Sequence, residues 1–296
     1  MNNILTLNLV YPDQSDIKFV PSKFPDGQQS IKLVQLIDSD WVKIYSRFSN
    51  FQDLELIICA TAALRNLGVD NIILYIPYFL GGRSDRRFEE GSINYLKDVV
   101  APIINLQNYR SVITLDPHSD VLEALINNFD KIDNSSLVKS ALSIINKADS
   151  DKLQNLISPD AGALKKIYPL ANRFNLTSVI TASKVRDLVS SKILHTDVPL
   201  ASISKDPQLF IIIDDICDGG RTFIEVAKAI RISRPGNQFN DKIVLIVTHG
   251  IFSNGFGDLA QWVDQVYCTN SIFDINQEYL ASQNIDRNFV KQFNIF

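Results

Sequence analysis

LFIIIDDICDGGRTF, residues 209–223, decides the fold. Its first five residues are all apolar, and Ile211, Ile212 and Ile213 are β-branched. A strand that is apolar on both sides must be covered on both faces, as the strands of helix-flanked parallel sheets are. The run then meets two acids, Asp214 and Asp215, and continues through Asp218, Gly219, Gly220, Arg221 and Thr222 into a helical pattern. In open parallel sheets ligands bind beyond the carboxyl ends of the strands. Adjacent carboxylates at such an end suit a hard divalent cation or the hydroxyls of a sugar. Successive strand side chains point to opposite faces, so the two acids share one ligand only where the strand is already turning. The glycine turn and the helix start behind it present backbone N–H groups, which favour an anion.

The same form recurs along the chain. Strand-like runs are predicted over 71–79, 110–118, 155–162 and 241–252. Helical spacing is predicted over 53–68, 119–129, 162–174 and 222–233, the first with a glycine stop at Gly68. Alternating strands and helices define an α/β protein. Its character breaks near 131–150, where a helix begins after the polar turn of IDNSSLVKS. Two α/β domains are expected, 1–140 and 141–296, with the last residues allowed to return to the first.

Composition narrows the classes. Of 296 residues, 46% are hydrophobic, enough for a sizeable core. A net charge of -4 argues against a nucleic-acid binder while leaving room for a local basic pocket. Cys59, Cys217 and Cys268 are odd in number and lack metal spacing, so they are expected to be free thiols of a reducing compartment. The start, MNNILTLNLVYPD, does not read as a signal peptide, and no run approaches the ~18 apolar residues of a membrane helix. A cytoplasmic protein is expected, with neither a membrane nor nucleic acid as partner.

Polar residues collect at strand ends. Arg83, Ser84, Asp85, Arg86 and Arg87 follow the 71–79 run, and three guanidinium forks in five residues match phosphate oxygens. Asp116 and His118 end the next run, and Asp160 and Gly162 the third. His118 is read as a phosphate or metal contact, and His249, in THGIF, also lies at a strand end.

These residues carry a family resemblance. FPDGQ (24–28), IPYFLGGRSDRR (76–87), LDPH (115–118), SPDAG (158–162), DDICDGGRT (214–222) and THGIFSNG (248–255) occur in the motif order of ribose-phosphate pyrophosphokinases, the synthetases of phosphoribosyl pyrophosphate (PRPP). The resemblance covers most of the chain. It implies two phosphoribosyltransferase-type domains, each a mainly parallel sheet flanked by helices, with the site between them. It also implies Mg²⁺-dependent transfer of the β,γ-diphosphoryl group of ATP to the anomeric hydroxyl of a ribose 5-phosphate unit, with release of AMP. By the same resemblance Phe24, Asp26 and Gln28 belong to the adenine site, across a subunit boundary of a dimer or larger homo-oligomer. Arg83, Ser84, Asp85 and Arg86 are assigned to ATP. His118 and Asp160 help place Mg-ATP, and Asp214 and Asp215 hold the ribose hydroxyls directly or through a second metal ion. The implied metal ligands are therefore His118, Asp160, Asp214 and Asp215. Asp218 to Thr222 form the acceptor's phosphate loop. Lys184 and Arg186 resemble the cations of the family's catalytic loop, which stabilise the transferring group.

Departures matter as much. Ser84 and Gln28 replace a glutamine and a glutamate of the family, and Lys166 stands where it often has arginine. There is no clear first helix and no usual last one, which puts the family's hexamer and its allosteric site in doubt. Arg221 replaces a residue of a loop that otherwise reads Thr-Gly-Gly-Thr. A remodelled phosphate loop suits an acceptor whose 5-phosphate continues outward, as in ADP-ribose, which some phage relatives of this family pyrophosphorylate in rebuilding NAD. Ribose 5-phosphate and ADP-ribose are both retained as acceptors, in the host cytoplasm if the chain is phage-encoded. A phosphoribosyltransferase is disfavoured by FPDGQ and RSDRR. A catalytically silent regulatory relative is disfavoured by the presence of His118, Lys184, Arg186, Asp214 and Asp215.

Overall fold

The computed structural model describes residues 4–186, 193–236 and 240–296. The chain divides into two compact units, Met1–Asp133 together with Phe296, and Asn134–Ile295. The division precedes the expected boundary at 140. That boundary would cut the helix Ser135–Ala148, whose buried face belongs to the core of the second unit.

The first unit opens with β1 (Ile4–Asn8), followed by the antiparallel hairpin of β2 (Phe19–Lys23) and β3 (Gln29–Leu33). β4 (Trp41–Tyr45) leads to α1 (Phe51–Asn66). Asn50 caps α1 by accepting from the backbone N–H of Asp53, and Gly68, at φ +85°, turns the chain away beyond its end. β5 (Asn71–Tyr75), a π-turn and α2 (Ala101–Asn105), β6 (Ser111–Leu115), α3 (Val121–Leu125) and β7 (Phe129–Ile132) complete the unit. Its sheet runs β1-β4-β5-β6-β7, and all four pairings are parallel. The core forms where Val42, Ile44, Ile72 and Leu74 of the sheet meet Ile57, Ala60 and Leu64 of α1.

The second unit begins with α4 (Ser135–Ala148), β8 (Leu153–Ser158), α5 (Leu164–Phe174) and β9 (Val179–Thr181). β10 (Ser183–Arg186) and β11 (Ile193–Asp197) form an antiparallel pair. β12 (Gln208–Cys217), α6 (Arg221–Ser233), β13 (Lys242–Gly250), β14 (Gln265–Thr269), α7 (Gln277–Ser282) and β15 (Val290–Phe293) follow. The order β15-β14-β13-β12-β8-β9 is parallel throughout. Both faces are covered, as the all-apolar run of β12 requires. Ile211 and Ile213 pack with α4 and α5, whereas Phe210 and Ile212 pack with α6.

Among the described residues no helix is long and apolar enough to cross a membrane. All three cysteines are free, and Cys217 and Cys268 are buried. At the end of β13, a side chain at Gly250 would overlap the ring of Phe252, itself in the core. Gly250→Ala is expected to destabilise the protein by about 1–3 kcal/mol, seen as a lower urea midpoint.

Candidate active site

β12 is longer than its neighbour β8. Its pairing with β8 ends at Ile212↔Ile157, but its pairing with β13 continues through Asp214↔Val247 to Cys217↔Gly250. The two acids, read from the sequence as the end of the run, lie within the strand, which extends to Cys217. On the β8 side, past Ile212, no strand pairs with them among the described residues. From β8 the chain first turns outward to β9 and later enters β12 on the opposite side of β8. This reversal is the topological switch point at which open α/β sheets bind ligands.

Strand alternation places Asp215 on the α5 face, after Ile211 and Ile213. There the Lys166 ammonium donates to its Oδ2 at 2.7 Å. Asp214 accepts the backbone N–H of Asp215 at 2.9 Å. Burial, then the neighbouring charges of Asp215 and Asp160, push the Asp214 carboxyl up to about 7, against the pull of its bond to the Asp215 N–H and of Lys166. The turn after β8 is equally constrained. Ser158 donates to the Asp160 carbonyl at 2.6 Å, and Asp160 Oδ1 accepts the N–H groups of Gly162 and Ala163 at 3.0 and 3.2 Å. That turn starts α5.

Beyond Cys217 the chain turns through Gly219 and Gly220. Gly220 sits at φ +77° and begins α6 with no side-chain cap, so the first N–H groups of the helix have no capping side chain. Arg221 is exposed and is the first residue of α6 rather than part of the turn. The loop after β13 supports the turn. Ser253 donates to Asp218 Oδ1 at 2.6 Å, and Asn254 lies over Gly219, where a Cβ would come within 2.8 Å of its amide nitrogen. THGIFSNG was legible as a motif, but its packing against the glycine turn was not. His249 is buried, and its Nδ1 lies 2.9 Å from Ser271 Oγ.

In the first unit, the segments after β5 and β6 are tied together. Ser119 donates to Asp85 Oδ2 at 2.6 Å, and Asp85 also pairs with Arg86 at 2.8 Å. The bond from Arg86, more than that from Ser119, holds the Asp85 carboxyl below its usual range against the cost of burial. Arg83 and His118 are exposed on these two segments. Phe24, Asp26 and Gln28 lie apart, at the tip of the β2–β3 hairpin. There Asp26 Oδ1 accepts the Gln28 N–H and Phe24 is 53% exposed. The backbones of Lys184 and Arg186 belong to β10, and their side chains lie outside the described residues.

A helix-flanked parallel sheet, carrying acids at its switch point and a glycine turn that opens an uncapped helix, defines a phosphoribosyltransferase-type α/β protein. The fold matches that of phosphoribosylpyrophosphate synthetase from Mycobacterium smegmatis with a TM-score of 0.77, over 99% of this chain and 94% of that one, at 15% identity. No family model matches the sequence. Ribose-phosphate pyrophosphokinase of Sulfurisphaera tokodaii is 26% identical over 259 residues, 84% of this chain and 82% of its own. That of Haemophilus influenzae is 24% identical over 258 residues, 85% and 78% of the two chains. Over more than three quarters of its length the chain is thus similar to ribose-phosphate pyrophosphokinases (PRPP synthetases), and the likeness supports an enzyme of the diphosphotransferase type.

Proposed function

We propose that the protein transfers the β,γ-diphosphoryl group of Mg-ATP to the anomeric 1-hydroxyl of a ribose 5-phosphate unit. The hydroxyl oxygen bonds to the β-phosphorus, the bond from that phosphorus to the α-phosphate oxygen breaks, and AMP leaves. The observation that carries this reading is the acid pair set beside the uncapped start of α6. One end of this site suits sugar hydroxyls and the other a terminal phosphate.

Asp214, Asp215 and Asp160 are assigned to the acceptor's ribose, and Asp218, Gly219, Gly220, Arg221 and Thr222 to its phosphate. Arg83, Ser84, Asp85 and Arg86 are assigned to ATP, with Phe24, Asp26 and Gln28 at adenine. Exposure of Phe24 on a projecting hairpin supports a homo-oligomer in which it reaches a neighbouring subunit. Lys184 and Arg186 are assigned to the charge of the transferring group. The free thiols support a cytoplasmic setting.

Mg²⁺ fits this donor set. Carboxylate oxygens suit it, and Asp214 is crowded by the neighbouring carboxylates of Asp215 and Asp160, whose charge a cation offsets. Asp214 and Asp160 are the proposed ligands. Among the described residues no group of three or more such side chains could hold a metal alone. Nucleotide phosphates and water are therefore expected to complete the shell. When bound, the ion would neutralise phosphate charge.

The names of the relatives support ribose 5-phosphate as acceptor. A second reading, ADP-ribose, is supported by Arg221, an exposed guanidinium at the first position of α6 beside the glycine turn. The test incubates the protein and Mg-ATP with each acceptor and identifies the products by mass. PRPP alone supports the first reading, diphosphorylated ADP-ribose alone the second, and no AMP with either refutes the proposed reaction. If Arg221 serves the longer acceptor, Arg221→Gly is expected to shift the kcat/KM ratio toward ribose 5-phosphate by about tenfold or more, the worth of one charge-assisted hydrogen bond. An unchanged ratio removes Arg221 from acceptor choice.

A further inference from the structure

We propose that Lys166 is a positioning residue that dedicates Asp215 to the acceptor's hydroxyls and withholds it from the metal ion. The inference rests on the pyrophosphokinase reading above.

Asp215 is 6% exposed, and Lys166 Nζ lies 2.7 Å from its Oδ2. The lysine is held there by the start of α5. Asp160 Oδ1 accepts the N–H groups of Gly162 and Ala163, which fixes the chain between the carboxyl end of β8 and the start of α5. Ile167 and Leu170 bury the adjoining face of α5 against the sheet. This places the residue before Ile167 over the neighbouring strand β12. A carboxylate whose charge is already met by an ammonium attracts a second cation weakly. A carboxylate in that state still acts as an acceptor for hydroxyl protons. Asp214 is bonded instead to the backbone N–H of Asp215 and feels Lys166 through its charge. Two adjacent acids are thereby given different tasks, and Lys166 makes the difference.

The test compares wild type, Lys166→Met and Lys166→Arg by calorimetry without ATP. The probes are ribose 5-phosphate, ADP-ribose and Mn²⁺ alone, and KM for ATP is measured separately. Lys166→Met is expected to lose acceptor affinity by about 30-fold or more, the effect of leaving a buried charge unpaired. Its Mn²⁺ affinity is expected to rise, because Asp215 becomes a cation ligand, while KM for ATP stays unchanged. Lys166→Arg is expected to restore acceptor binding and wild-type Mn²⁺ affinity. A lysine with only a structural role would lower acceptor and Mn²⁺ binding together with the melting temperature. That result, or unchanged binding in Lys166→Met, overturns the inference alone. Wild-type protein that binds neither acceptor overturns the pyrophosphokinase reading and this inference with it.

Discussion

Asp215→Ala is expected to reduce AMP release by about a thousandfold or more while the protein stays folded. The carboxylate is buried at the switch point, and its bond to Lys166 fixes its direction. Alanine removes the group proposed to hold the sugar and leaves the ammonium facing an empty space. Lys166 is partly exposed, so water can solvate it, and the fold does not depend on the pair. The variant should keep its circular dichroism spectrum and a cooperative melt. Turnover close to wild type would remove Asp215 from the site.

The second large effect is on stability. In the metal-free protein, melting temperature is expected to fall as pH rises from about 5 to 8. Asp214 has its folded carboxyl raised to about 7 from the ordinary 3.8 of an aspartate. Between those values the folded protein holds a proton that the unfolded chain has released. This stabilisation is complete below the unfolded value and is lost as pH rises through the folded one. Its upper limit is of the order of 4 kcal/mol. A divalent cation should counter the loss at pH 8, because it stabilises the ionised pair. Asp214→Asn should flatten both dependences. A melting temperature that rises steadily over the same interval would contradict the burial and charge crowding assigned to Asp214.

The strands that the sequence displays are those buried on both faces. β12 and β13 are continuous apolar runs, and their helices keep a clear stripe. The β2–β3 hairpin is harder to see, because Phe19–Lys23 contains Pro21 and three other exposed residues. β14, Gln265–Thr269, and β15, Val290–Phe293, are too short to show a period, and pairing with β13 and with each other defines them. The candidate site divides in the same way. Asp214, Asp215 and the glycines stand together in one stretch. Lys166 is one of two adjacent lysines on α5, and nothing local says which of them reaches β12. Ser119 and Ser253 are similarly silent, since each acts on a residue more than thirty positions away. Asp85, read as an ATP contact, also ties two loops of the first unit, so its replacement would disturb Arg83 and His118 through their backbone.

The most direct measurement is a ³¹P nuclear magnetic resonance spectrum of the complete reaction with Mg-ATP and each acceptor. Diphosphoryl transfer predicts AMP, together with a new pair of coupled phosphorus signals from a diphosphate on the anomeric oxygen. ADP accompanied by a single new monophosphate signal would show transfer of the γ-phosphate alone and would contradict the account.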